Sequence, residues 1–228
     1  MMNKKVVHTY WFIAVAVFFI TSACAPVYIP NVVHVPLLTN KNEFHASVNT
    51  GISGFDPQIA YAITDNVGVM INGSFANSKS DSSASFHTHN FVETGVGYYS
   101  VIDTRVRFEV FGGGGYGRVS SNYQGTYWNT FHDVSLARFF VQPAVGITGK
   151  FGDVSFASRC VFVSFYRELQ ESRAVFLEPV VTFKFGYEYV KAMMQFGFYY
   201  PMNASLTFDY QPFIFSRGLQ TTFNRSLE

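Results

Sequence analysis

The sequence predicts an all-β chain: a closed antiparallel up-and-down transmembrane β-barrel of about ten strands, with eight as the alternative. Three observations predict it. From Glu43 onward apolar and polar residues alternate with a period of two, segment after segment, and no stretch carries an amphipathic helix. Charged residues make up only 14% of the 228 residues while aromatics make up 18%, with 26 Phe and 14 Tyr. Short and long connections between the segments also alternate.

Ten segments are read, at about 43–50, 54–63, 67–77, 86–101, 105–118, 133–149, 153–166, 174–189, 192–200 and 209–216. In 105–111, Arg105, Arg107 and Glu109 share one face and Val106, Phe108 and Val110 the other. In 174–189, Glu178, Thr182, Lys184, Gly186 and Glu188 oppose Val175, Leu177, Val181, Phe183, Phe185, Tyr187 and Tyr189. In 134–148, Arg138, Gln142, Gly146 and Thr148 oppose Phe139, Val141, Val145 and Ile147. In 67–75, Gly68, Met70, Asn72 and Ser74 oppose Val67, Val69, Ile71 and Phe75. Each segment is therefore a two-faced ribbon.

A soluble sandwich would wet its polar faces with many Lys and Glu, and the charge content is too low for that. A transmembrane barrel inverts the arrangement, with apolar residues against lipid and polar or small ones inside. Gly95, Gly97, Gly112 to Gly115, Gly117, Gly146 and Gly186 suit a narrow interior. Turns at Thr64-Asp65-Asn66, Asp103-Thr104, Gly152-Asp153 and Val190-Lys191 are tight, whereas 78–85, 119–132, 167–173 and 201–208 are longer. Gly51–Ser53 breaks the alternation by being short. Short turns belong on the periplasmic side of an outer-membrane barrel, which puts the N-terminus there. Tyr98, Tyr99, Tyr187, Tyr189, Tyr199 and Tyr200 lie near strand ends, where interfacial girdles form. Pro143 and Pro179 cannot donate to a ladder and predict bulges.

The first residues read as an export signal. Lys4 and Lys5 form a basic start, Tyr10 to Ile20 an apolar run too short to span a bilayer, and Thr21-Ser22-Ala23 a small-residue stretch before Cys24. Thr21-Ser22-Ala23-Cys24 resembles the lipobox of bacterial lipoproteins, although Thr21 stands where Leu is usual. The resemblance implies cleavage after residue 23 and acylation of Cys24, and Ala25 in place of Asp favours the outer membrane. Residues 24–42 read as Cys24 and a tether, 25–42, that carries Pro26, Pro30 and Pro36. Eighteen such residues could reach on the order of 50 Å. Residues 43–228 are then the barrel domain.

Asn49-Thr50-Gly51 through Gly54-Phe55-Asp56, Ala60 through Met70, and Glu178-Pro179-Val180-Val181-Thr182-Phe183 resemble the small outer-membrane β-barrel proteins of Gram-negative bacteria. The likeness is to lipoprotein-type members common in the Bacteroidetes. It covers most of the chain, implies architecture, and carries no catalytic residue.

The chemistry-bearing groups are few. Glu93, Arg105, Arg107, Glu109, Arg138, Arg159, Glu178, Lys184 and Glu188 fit the inward faces, and their mixed signs predict a salt-bridged lumen in preference to an ion-selective pore. His87 and His89 point the same way and could chelate with His132 or Asp133, but two histidines define no metal site. His132-Asp133 with Ser135, or His87 with Ser85, has hydrolase residue types. Gly112 to Gly117 lacks the Gly-Lys-Ser/Thr ending of a phosphate loop. Cys160 reads as a small apolar strand residue.

Sixteen basic against fifteen acidic residues leave no excess to neutralise phosphates, which excludes a nucleic-acid binder. The expectation is a non-enzymatic outer-membrane barrel with a plugged or very narrow lumen, presenting surface loops. No cofactor, metal or catalytic group is assigned. Its partners are outer-membrane lipid and the export, lipidation and barrel-assembly machinery, and no extracellular ligand is specified. A narrow ion or solute channel, a lipid-modifying enzyme of the outer membrane, and a soluble lipid-tethered periplasmic barrel are the alternatives.

Overall fold

A computed structural model describes residues 26–79, 86–124, 128–166, 171–187, 189–203 and 206–225. They form β1 (Phe44–Gly51), β2 (Gly54–Ala62), β3 (Val67–Lys79), β4 (Phe86–Val101), β5 (Val106–Gln124), β6 (Trp128–Thr148), β7 (Gly152–Tyr166), β8 (Glu171–Tyr187), β9 (Val190–Phe198), β10 (Tyr200–Pro201) and β11 (Phe213–Phe223). Each strand from β1 to β9 pairs antiparallel with the next, β9 pairs with β11, and β11 returns to β1. Ten strands thus close a ring with no open edge, and the two-residue β10 adds to β8 beside it. Closure is how an antiparallel sheet satisfies every backbone group without water at its rim.

The alternation predicts the strands well and their outer ends poorly. The stretch 119–132 is mostly paired strand, because β5 continues to Gln124 and β6 starts at Trp128. The last strand is shifted to Phe213–Phe223 from the expected 209–216. Arg217-Gly218 looks like a turn, yet Ser216, Gln220 and Thr222 carry the inward period straight through it. The turns at one end, 63–66, 102–105 and 149–151, are tight, whereas 199–212 at the other end is long.

The outward faces are apolar. On β6 the outward residues Phe139, Val141, Pro143, Val145 and Ile147 form an unbroken run, with Phe139 66% and Ile147 57% exposed. Val92, Val96 and Tyr98 continue it on β4, and Val154, Phe156 and Phe162 on β7. A run of about nine residues matches the roughly 9–11 that a tilted strand needs to cross hydrocarbon. At 21 residues, β6 is about twice that length, so the upper half of the β5–β6 hairpin stands clear of the band. There the outward groups turn polar, with Arg118 paired to Asp133 at 2.7 Å. Such a belt of exposed Phe, Val and Ile is a lipid-facing surface.

Two expectations about the wall are corrected. Pro143 and Pro179 sit in unbroken register, Pro143 opposite Val110 and Pro179 opposite Ser158. Between β6 and β7 the pairs at Gln142 and Pro143 drop out, yet the register resumes unchanged at Ala144 and Ala157. The missing N–H costs a ladder bond and requires no extra residue. The bulge lies elsewhere: Val119 pairs with Val134 and Ser121 with Phe131, so His132 and Asp133 share the space opposite Ser120. Asp133 takes φ 47° there, a conformation Asp tolerates better than most residues. Of the six girdle tyrosines, Tyr98, Tyr187, Tyr189 and Tyr200 face outward, but Tyr99 and Tyr199 are buried inside. Adjacent residues on a strand cannot both face lipid.

The belt generates a measurable contrast. Val141→Arg is expected to destabilise the folded barrel by about 2–4 kcal/mol if the site lies near mid-bilayer, read from denaturant titration in lipid vesicles. Arg118→Ala, above the band, should cost less than about 1 kcal/mol.

Candidate functional site: a lumen filled by the N-terminal segment

The stretch expected as an external tether lies inside the barrel. Val27, Tyr28, Val32, Val33, Val35, Leu37 and Leu38 are each at most 3% exposed. The segment starts beside the long connection: the Tyr28 N–H donates to the Asp209 carbonyl, and the Gln211 N–H to the Tyr28 carbonyl. It ends at the tight-turn end, where the Asn42 N–H donates to the Ala62 carbonyl just before β1. It therefore traverses the whole lumen.

An extended segment in a closed space needs partners for its backbone, and the wall supplies them in order along the path. Gln58 Nε2 donates to the Val32 carbonyl at 2.7 Å. Gln195 makes a reciprocal pair with Val33, accepting from its N–H at 2.9 Å and donating to its carbonyl at 2.8 Å. Gln142 donates to the His34 carbonyl, and Lys184 Nζ to the Val35 carbonyl, both at 2.7 Å. Glu109 accepts from the Leu37 N–H at 2.9 Å, and Arg225 donates to the Leu37 carbonyl at 2.8 Å. Wall glycines make room for the side chains. A Cβ at Gly146 would lie 2.6 Å from Leu37 Cδ1, and one at Gly68 2.4 Å from Leu38 Cδ1.

Above the amides sits an ionic cluster of two carboxylates and two guanidinium groups. Arg138 is bonded to Glu93, and Arg159 reaches Glu93 at 3.3 Å and Glu178 at 2.7 Å. Asn31 of the segment is its hub, donating to Glu93 at 2.9 Å and accepting from Arg138 at 2.6 Å and Arg159 at 2.9 Å. The Tyr28 hydroxyl donates to Glu178 at 3.0 Å, and Asn72 donates to Glu93 at 3.1 Å. Opposite charges cancel where an isolated one would cost several kcal/mol. Over this cluster lies an aromatic cap: Tyr28 stacks on Phe176 at 4.8 Å, and Phe165 meets Phe208 at 4.8 Å and Phe131 at 5.8 Å. A second ionic cluster closes the tight-turn end. Arg225 holds Glu43 at 2.8 Å and Asp153 at 3.4 Å, Lys191 holds Asp153 at 2.7 Å, and His45 contacts Glu43 at 2.6 Å.

The residues singled out from sequence separate into distinct places. Glu93, Arg138, Arg159 and Glu178 form the central cluster. Glu109 and Lys184 hold the segment backbone. Arg107 is buried but faces the β4–β5 turn, donating to the carbonyls of Asp103 at 2.7 Å and Thr104 at 3.1 Å. Arg105 is an exposed turn residue, one position before β5, and takes no part in the network. Glu188, Ser85, Cys24 and the basic leader lie outside the described residues.

His87 and His89 both face inward, 2.7 Å apart, with His89 Nε2 2.9 Å from Ser74 Oγ. His132 and Asp133 are exposed on the outer surface. His89 and Asp133 line one open pocket at the rim, but no three such side chains converge to hold a metal among the described residues. Nor do His132, Asp133 and Ser135 form a relay, because Arg118 takes Asp133 and the Tyr116 hydroxyl donates to Ser135 at 2.7 Å. Cys160 is a free thiol facing outward, opposite Leu177.

Sequence reasoning missed Asn31, Gln58, Gln195 and Arg225. One signal was available. Val32-Val33-His34-Val35-Pro36-Leu37-Leu38 is far too apolar for a solvated linker, although its proline gives it the spacing of one.

The sequence matches no protein-family model and no curated protein. Among solved structures, the fold resembles the crystal structure of the outer membrane protease OmpT from Escherichia coli. The TM-score is 0.43 at 11% identity, over 85% of this chain and 99% of that one. That neighbour is a protease, which overturns the expectation that this chain is not an enzyme. The likeness is one of architecture and assigns no catalytic residue here.

Two outcomes follow from the clusters. Arg159→Met should cost about 3–5 kcal/mol by leaving Glu178 uncompensated, and adding Glu178→Leu should recover much of it, measured as a double-mutant cycle in denaturant. The second concerns Glu43, which precedes the first spanning strand. Burial alone would raise its carboxyl; the hydrogen bond to His45, then Arg225 and the Thr39 N–H, outweigh it and hold the group below its ordinary value. A depressed carboxyl contributes stability above its unfolded value, and that stability is lost as pH falls through the folded one. Glu43→Gln should therefore be less stable than the parent at neutral pH, with the gap narrowing in acid.

Proposed function

We propose that this chain is an outer-membrane barrel of a Gram-negative envelope whose pore is stopped by its own N-terminal segment. It presents the tall β4–β8 wall and the connections at that end to the exterior. The observation that carries the reading is the burial of residues 27–38 along the whole lumen. A channel wall is lined by groups facing water; here the inward Gln58, Gln142, Gln195 and Lys184 are committed to the segment's backbone. The lipid-facing belt argues against a soluble periplasmic barrel. The tight turns face the periplasm in this reading, as short connections do in such barrels. Export by a cleaved leader, acylation at Cys24, and insertion by the barrel-assembly machinery belong to the same proposal, on the strength of the leader pattern.

Planar-bilayer recording tests the plug. The intact chain should be silent at all voltages. Deletion of residues 27–38 should give discrete conductance steps, as should Gln58→Ala combined with Gln195→Ala to a lesser degree. Steady conductance from the intact chain would favour a narrow channel.

A further inference from the structure

β1 begins at the tight-turn end, as the strand count requires, but the chain before it does not remain there. Residues 43 to 26 run back through the barrel. Asn42 lies against Ala62 at the tight-turn end, Leu37 against Glu109, Val33 against Gln195, Asn31 in the central cluster, and Tyr28 against Asp209 and Gln211 at the opposite mouth. Tyr28 is paired there in a parallel bridge with Tyr210. Fully extended, these fifteen residues would span at most roughly 50 Å; Leu37 at φ 57° and Asn42 at φ 65° turn the path, and the eight residues of β1 set the shorter height it has to cover. The backbone of Pro26 lies beside the His87 ring. His87 is two residues from His89, which is opposite Ala76 in the ladder, and Ala76 lies beside Gly54 at the tip of the β1–β2 hairpin. The segment thus reaches the level of the lowest part of the rim, where the wall is shortest.

We propose that the barrel is threaded by its own N-terminus, so that the chain preceding Pro26 leaves through the mouth bearing the long connections and is displayed on the outer face of the membrane. This rests on the orientation proposed above. It reverses the periplasmic N-terminus expected from strand order, because strand order places only the start of β1. A consequence concerns modification. If the residue before Ala25 is acylated, its chains meet the outer leaflet over the low β1–β2 rim, and the barrel acts as a conduit that holds a lipid-modified terminus at the cell surface.

The test uses full-length protein in intact cells. Ala25→Cys, Thr104→Cys and Met202→Cys are made singly in a Cys160→Ser background and treated with a membrane-impermeant maleimide, with the unsubstituted background subtracted. Heat-modifiable gel migration reports that each variant has closed. Ala25→Cys and Met202→Cys are expected to label equally before and after permeabilisation, and Thr104→Cys only afterwards. Labelling of Ala25→Cys that follows Thr104→Cys instead overturns the threading. If Thr104→Cys labels on intact cells and Met202→Cys does not, the orientation is wrong; the surface display then fails, while grouping of Ala25→Cys with Met202→Cys keeps the threading. A short epitope inserted between Ala25 and Pro26, read by antibody on intact cells, gives an independent measurement and must agree with the cysteine result for the proposal to stand.

Discussion

The structure depends on how a stretch of extended backbone is satisfied inside a closed space. A segment traversing a lumen loses water on all sides and has no strand beside it to form a ladder. Each unpaired N–H or carbonyl would carry a desolvation penalty of about 1–3 kcal/mol. Gln195 answers this by acting as a one-residue surrogate strand, its amide accepting from and donating to the same residue, Val33. Gln58, Gln142 and Lys184 provide the remaining carbonyls between Val32 and Val35 with donors. The wall residues are therefore fixed by the segment as much as the segment is fixed by them.

That mutual dependence explains the layering. Apolar side chains of the segment cannot face charges, so Leu37 and Leu38 are set where Gly146 and Gly68 open the wall. Asn31, its central polar side chain, falls at the height of four ionised groups and binds three of them. Tyr28 bridges the ionic cluster below and the aromatic cap above, its hydroxyl on Glu178 and its ring on Phe176. A shift of the segment by one residue would exchange these environments and leave Asn31 among hydrocarbon. The register is specified by chemistry at three heights, although no regular ladder defines it.

The wall was legible because a barrel strand is one repeating instruction. Every second residue answers to lipid, and Phe139, Val141, Val145 and Ile147 declare it unaided. The inward charges Glu93, Arg138, Arg159 and Glu178 could be named for the same reason. Their partners could not, since pairing depends on the shear of the closed ring and on Asn31, which no strand period reaches. Arg105 and the wrongly placed bulges show the limit of local rules: a period does not announce where it stops, and proline in a barrel can forgo a bond without adding a residue. The tether failed for a different reason. Proline spacing describes stiffness, whereas the valines and leucines between the prolines determine whether the chain stays in water.

A threaded segment also constrains the order of assembly. Once β9, β11 and β1 have paired, the ring leaves no gap through which residues 27–38 could enter from the side. Entry from an end would drag Asn31 past the aromatic cap or through the ionic cluster around Arg225. The segment must therefore be in place while the sheet is still open, and its apolar residues give the inward faces of the early strands something to collapse upon. β1 follows the segment directly in the chain, so Gln58 on β2 and Asn72 on β3 are the first wall residues available to it. Gln195 on β9 and Arg225 beyond β11 engage only as the ring closes. The last contacts to the segment and the last strand pairings therefore involve the same part of the ring, and a barrel of this sequence that closed empty would face its ionic lumen with water instead of peptide.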